Sequence, residues 1–156
     1  MTVSAPRPDA STTRRRKAPE GPYHLDDQIG FILRQVSQRH AALFAAGIGD
    51  DLTATQWAVL AKLQERGPCS QNRLGRRTAM DAATIKGVVD RLGKRGLIET
   101  RPDPEDGRRL EVALSPAGHA LAERTAPNAL RITEETLAPL DDAERNQLIA
   151  LLRKLS

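Results

Sequence analysis

The chain has 156 residues, 39% of them apolar and 28% charged, with a formal net charge of +4 at pH 7. That suits one compact domain with extensions and argues against two independent domains. With aromatics at only 3%, the core must be built from Leu, Ile, Val and Ala, a mixture that favours packed helices over a sandwich of strands. No apolar run approaches the roughly eighteen residues of a membrane span. The single cysteine, Cys69, excludes an internal disulfide and fits a reducing, cytoplasmic setting.

Residues 1–22 hold four prolines, several Ser and Thr, and the basic cluster Arg14-Arg15-Arg16-Lys17, with too few apolar side chains to offset the entropy of ordering. They read as a disordered basic arm, and the lack of an apolar stretch after the basic cluster argues against a secretory signal. From Tyr23 to Ala46, Leu25, Ile29, Ile32, Leu33, Val36, His40, Leu43 and Phe44 recur at helical spacing, so one face is expected to pack inward. Phe31 lies on the opposite side, which predicts a second partner there.

Thr53 and Gln56 have the spacing of a capping box, opening a helix that runs to about Arg66 and stops at Gly67-Pro68. Ser70 caps a short helix through about Arg77. Asp81 is placed to cap the next helix, whose Ile85, Val88, Val89 and Leu92 form one stripe and whose Gly96 marks a left-handed stop. Leu97 to Arg101 and Arg109 to Leu114 read as two short strands around a Pro- and Gly-rich loop, the second alternating buried Leu110, Val112 and Leu114 with outward Arg109, Glu111 and Ala113. Ser115 and Pro116 open a helix that Pro127 is expected to kink or break. Asp141 and Glu144 cap the last helix, with Leu148, Leu151, Leu152 and Leu155 on its apolar side.

The predicted fold is mainly α with a small β-hairpin, in the element order of a winged helix-turn-helix. Charge is distributed to match. Residues 62–109 carry twelve basic and seven acidic side chains, whereas 23–61 carry two and four, and 110–156 carry five and seven. A basic middle between mildly acidic ends is what is expected if the middle meets phosphate and the ends meet each other.

Residues 52–118 resemble the multiple antibiotic resistance regulator (MarR) family: Leu52-Thr53 with Gln56 and Leu60, Val89-Asp90-Arg91-Leu92 with Lys94-Arg95-Gly96-Leu97-Ile98, Asp106-Gly107-Arg108, and Leu114-Ser115-Pro116-Ala117-Gly118. The resemblance implies a homodimer on a double-stranded DNA operator. Its winged helix would span about 52–115, between dimerisation helices at about 23–46 and 116–155 of a single domain, 23–156. On the recognition helix the small or hydrogen-bonding Ala82, Ala83, Thr84, Lys86 and Gly87 suit a major groove, with Thr84 and Lys86 placed for bases and Arg91 and Lys94 for phosphates. At the wing tip the resemblance implies that Arg108 enters a minor groove while Asp106 holds its guanidinium. Gly75 departs from the Ala common at that position in the family and should weaken its helix slightly.

No glycine-rich phosphate loop, nucleophile elbow or His/Cys cluster gives catalysis a foothold, and no cofactor or metal is expected. His24 and His40, sixteen residues apart, would stand about 24 Å apart on a continuous helix, too far for one zinc site. Cys69, at the turn after the second helix, reads as a small buried filler rather than an oxidant sensor. The segment from Tyr23 to His40, with Thr136 to Leu140, resembles the branch of the family controlling breakdown of aromatic acids, such as hydroxynicotinate or hydroxycinnamate thioesters. This implies a small aromatic acid or acyl-CoA effector, with Arg34, Arg39, His40 and Trp57 as pocket residues. The competing reading is an architectural DNA-binding protein that answers to no ligand.

Overall fold

The computed structural model describes residues 21–108 and 110–156; all but the last two residues of the expected basic arm, and Arg109, lie outside them. In chain order the elements are a 3₁₀ turn at Leu25–Asp27, α1 (Ile29–Gly47), α2 (Ala54–Arg66), α3 (Gln71–Arg77), α4 (Ala82–Lys94), β1 (Ile98–Pro102), β2 (Leu110–Leu114), α5 (Pro116–Leu137) and α6 (Asp142–Arg153). The five expected caps form. Thr53 and Gln56 close a reciprocal box, as do Asp141 and Glu144, while Ser70, Asp81 and Ser115 accept from the amides of Arg73, Thr84 and Gly118. Gly96 has φ of +69°, the left-handed stop its position required.

The core lies between α2, α3, α4, the hairpin and α5. Val59, Leu60, Leu74, Val88 and Leu92 are fully enclosed, and Leu121 and Ile132 close it from α5. Gly75 belongs to this packing. A Cβ there would stand 3.1 Å from the Met80 carbonyl oxygen and 3.2 Å from the Ile85 Cγ2, so the missing methyl lets α3 and α4 approach. Ala79, at φ of +53°, turns the chain between them. Cys69 is buried and joins the sheet, exchanging two backbone hydrogen bonds with Val112.

Three expectations need correction. The apolar face of α1 packs inward only at its end, through Leu43 and Phe44, with Ile48 just beyond; Ile29, Ile32, Leu33 and Val36 stay 40–62% exposed, and Phe31, on the other side, is half-buried. The cause is that α1 leans on α5 and leaves the first half of its stripe uncovered. Of the kink or break expected at Pro127, the break does not occur, since α5 is continuous over 22 residues. Pro127 and Glu123, whose carbonyl loses its partner, are both exposed, while Leu121, Ala122, Thr125 and Ile132 anchor the buried side. In β2 the alternation fails: Leu110 is exposed, whereas Glu111 and Ala113 are buried with Val112 and Leu114. Glu111 is covered because its carboxylate meets the guanidinium of its cross-strand partner Arg101 at 2.8 Å.

No described helix is long and apolar enough to cross a membrane. No residue of α6 is buried, and its Leu148, Leu151 and Leu152 are exposed, as is Leu155 just beyond it.

Candidate nucleic-acid interface and effector site

The two faces of α4 have opposite fates. Ile85, Val88, Val89 and Leu92 are buried, which turns Ala82, Ala83, Thr84, Lys86, Arg91 and Lys94 outward, with Gly87 half-covered between them. The Asp81 carboxylate accepts from the Thr84 amide at 2.7 Å. That amide, then the Thr84 hydroxyl and the Ala83 amide, hold the Asp81 carboxyl below its ordinary value, against a smaller opposing effect of desolvation. Thr84 is therefore tied to the cap through its amide.

The Lys86 ammonium sits 2.8 Å from the Asp90 carboxylate one turn on, a hydrogen bond that keeps the Asp90 carboxyl low. Both side chains are more than half exposed, so solvent screens the pair and it restrains Lys86 only weakly. The Arg91 guanidinium folds back over Gly87, 3.3 Å from where a Cβ would stand. Any larger residue at Gly87 would displace it.

At the wing tip the Asp103 carboxylate accepts from the amides of Glu105 and Asp106, and Asp106 Oδ1 accepts from the Arg108 amide at 3.1 Å. Asp106 thus meets the Arg108 main chain in an Asx turn two residues long. The Arg108 side chain is exposed. Residues of α3 that sequence reasoning passed over, Arg73, Arg76 and Arg77, are also exposed and meet no carboxylate among the described residues. Arg73 and Arg76 line a polar cleft of about 570 Å³ between α3 and the wing, with Asp103 and Glu111 opposite. Their spacing had been absorbed into a short helix, and only the contrast with paired Lys62 and Arg66 sets them apart.

The expected effector residues divide. Arg39 donates from Nη1 to the Thr136 carbonyl at 2.6 Å and from Nη2 to the Glu135 carbonyl at 3.0 Å, so it caps the last turn of α5. His40 Nδ1 lies 2.9 Å from the Thr136 hydroxyl, whose only proton goes to the Ile132 carbonyl at 2.7 Å. The imidazole must then be the donor at Nδ1, which leaves Nε2 as the acceptor of the neutral ring. The His40 and Phe44 rings tilt together with centroids 6.3 Å apart. Trp57, on α2, is half-buried against the core, and Arg34 is exposed on α1. The structure brings Arg39 and His40 to one point on α5. Three clefts of the single chain are lined by other residues than these four.

Comparison with known proteins agrees with this architecture. Residues 52–110 match the MarR family model. Over 135 residues, 86% of this chain and 85% of the relative, the sequence is 41% identical to the HTH-type transcriptional repressor NicR of Pseudomonas putida. BpsR of Bordetella bronchiseptica, whose DNA binding is described as regulated by 6-hydroxynicotinic acid, superposes with a TM-score of 0.82 at 43% identity, over 86% of this chain and 97% of the other. A mutant MarR from Escherichia coli, complexed with operator DNA, gives 0.75 at 26% identity over 81% and 92%. The chain belongs to the MarR family of transcriptional regulators.

Proposed function

We propose that this protein is a homodimeric repressor that reads a pseudo-palindromic operator and is released from it by a small aromatic carboxylate or its CoA thioester. The observation that carries the reading is the division of labour within one chain. A helix with an enclosed apolar stripe offers a small, polar and basic outer face beside a hairpin ending in Arg108. The apolar residues in the first half of α1 and the leucines of α6, meanwhile, stay exposed among the described residues. Two copies joined through those arms would place two reading heads about one helical turn, 10–10.5 base pairs, apart.

In this reading residues 23–156 act as one domain, with the winged part at about 52–115. Thr84 and Lys86 meet bases, Ala82, Ala83 and Gly87 allow close approach, Arg91 and Lys94 meet phosphates, and Arg108, positioned by Asp106, enters the minor groove. An effector bound near the dimer arms would set its carboxylate against Arg34 or Arg39, donate a hydrogen bond from a hydroxyl to His40 Nε2, and lay its ring toward Trp57. The relatives favour this class: BpsR is described as regulated by a hydroxylated pyridine carboxylate. Release requires only that the ligand prefer the arrangement of heads that cannot bind DNA; a coupling of about 1–3 kcal/mol lowers affinity roughly 5- to 150-fold.

The test is an anisotropy titration of protein on operator DNA against hydroxylated benzoates, nicotinates and cinnamates and their thioesters. At least one should release the DNA. If the protein binds operator and none does, the ligand-independent architectural reading replaces this one.

A further inference from the structure

The corner between α1 and α2 gathers side-chain contacts from two other elements, α5 and the end of α4. Gly49, Asp50 and Asp51 stand in succession at φ of +79°, +54° and +50°, a left-handed run that Asp tolerates better than most residues and that a single backbone bond, from the Leu52 amide to the Gly49 carbonyl at 3.2 Å, closes from within. Four side chains hold it from outside. From α5, Arg131 donates to the Gly47 carbonyl at 3.4 Å, Asn128 to the Ile48 carbonyl at 3.2 Å, and Arg124 to the Asp50 carboxylate at 3.0 Å. The fourth, Arg95, is the C-cap of α4. Its Nη2 donates to the Asp50 carbonyl at 2.8 Å, and its Nη1 reaches the Asp51 carbonyl at 3.5 Å and Gln56 Oε1 at 3.4 Å.

Asp50 is thus gripped twice, through its carboxylate from the arm helix α5 and through its carbonyl from the end of the recognition helix. On the reading of the molecule as a dimer with two reading heads, this is where each head meets its arm. We infer that Arg95, Arg124 and Asp50 are positioning residues that set the angle of the recognition helix against the dimer arms, and so fix the spacing between half-sites that the protein accepts. None of the three needs to touch DNA. The individual bonds are exposed and weak, which suits a joint that can be shifted without unfolding either body.

The experiment is selection of binding sites by the intact protein from duplexes carrying a random 30-base-pair stretch (about three helical turns), followed by sequencing. Wild type should return paired half-sites at one spacing. Arg95→Gln, Arg124→Gln and Asp50→Asn should return the same half-site sequence with spacings spread by a base pair or more to either side. Asp50→Asn keeps every backbone acceptor and nearly the same volume, and so tests the carboxylate grip without endangering the fold. A single unchanged spacing in all three variants, with only a lower yield, would overturn the inference and leave the contacts merely structural. Wild type that selects no paired half-sites would instead overturn the two-headed reading on which it rests.

Discussion

Gly118 lies directly beneath the Leu97 carbonyl: a Cβ at that position would stand 1.9 Å from the carbonyl oxygen and 3.0 Å from its carbon. Here the first turn of α5 passes under the start of the hairpin, and Ser115 completes the joint by donating to the Gly96 carbonyl at 2.6 Å while capping α5. The obstacle is backbone, so it cannot rotate away. Gly118→Ala should cost about 1–3 kcal/mol or more through overpacking, read as a fall in thermal midpoint. An unchanged midpoint would show that the approach is looser than described.

Arg108→Ala should leave thermal stability within about 0.5 kcal/mol of wild type, because an exposed tip residue carries no core. It should weaken operator binding and reduce the salt slope by about one unit. Substitution at Thr84 or Lys86 should instead change base preference, each contact being worth roughly 1–3 kcal/mol of discrimination. Equal weakening on all sequences would move Lys86 from the bases to the phosphates.

Leu152→Glu, on the exposed face of α6, should convert a dimer to a monomer in light scattering at micromolar concentration, and operator affinity should fall with it. Because no residue of α6 is buried in its own chain, the helical signal of the remaining elements should survive. A wild-type monomer would remove the assembly altogether.

The Asp81 carboxyl is held below its ordinary value of 3.8 by the amides it caps. A depressed carboxyl contributes stability that is present above its unfolded value and lost as pH falls through its folded value. Wild type should therefore be more stable than Asp81→Asn near neutrality, and the gap should narrow only below about pH 4. A gap of constant size through that window would mean the cap acts through shape alone.

Local chemistry made much of this fold legible. Every cap expected at Thr53, Ser70, Asp81, Ser115 and Asp141 forms, because a cap is decided by residues within three positions of one another. The stripe of α4 was legible for the same reason. What failed depended on distance. The partners of Arg95 lie 39 to 45 positions away, and those of Arg39 lie 96 and 97 away, so nothing nearby announced that one grips a corner and the other caps a helix. The apolar stripe of α1 was visible, but its spacing does not say which molecule covers it. A break at Pro127 follows from a rule for helix interiors that exposure on one side relaxes.

The root and tip of the wing differ in how they are held. Near the root, Val112 pairs with Cys69 as well as with its own hairpin, and the pair of exposed Arg101 with buried Glu111 closes the next rung. Past that rung the strands pair only at Pro102 and Leu110, and the Asp103 and Asp106 turns organise the tip from within. Mechanically this is a cantilever, clamped at one end and self-shaped at the other. Its free end can deflect to follow the local width of a groove while the clamped end keeps the recognition helix in register. Sequence change at the tip then alters what is touched without disturbing what is folded.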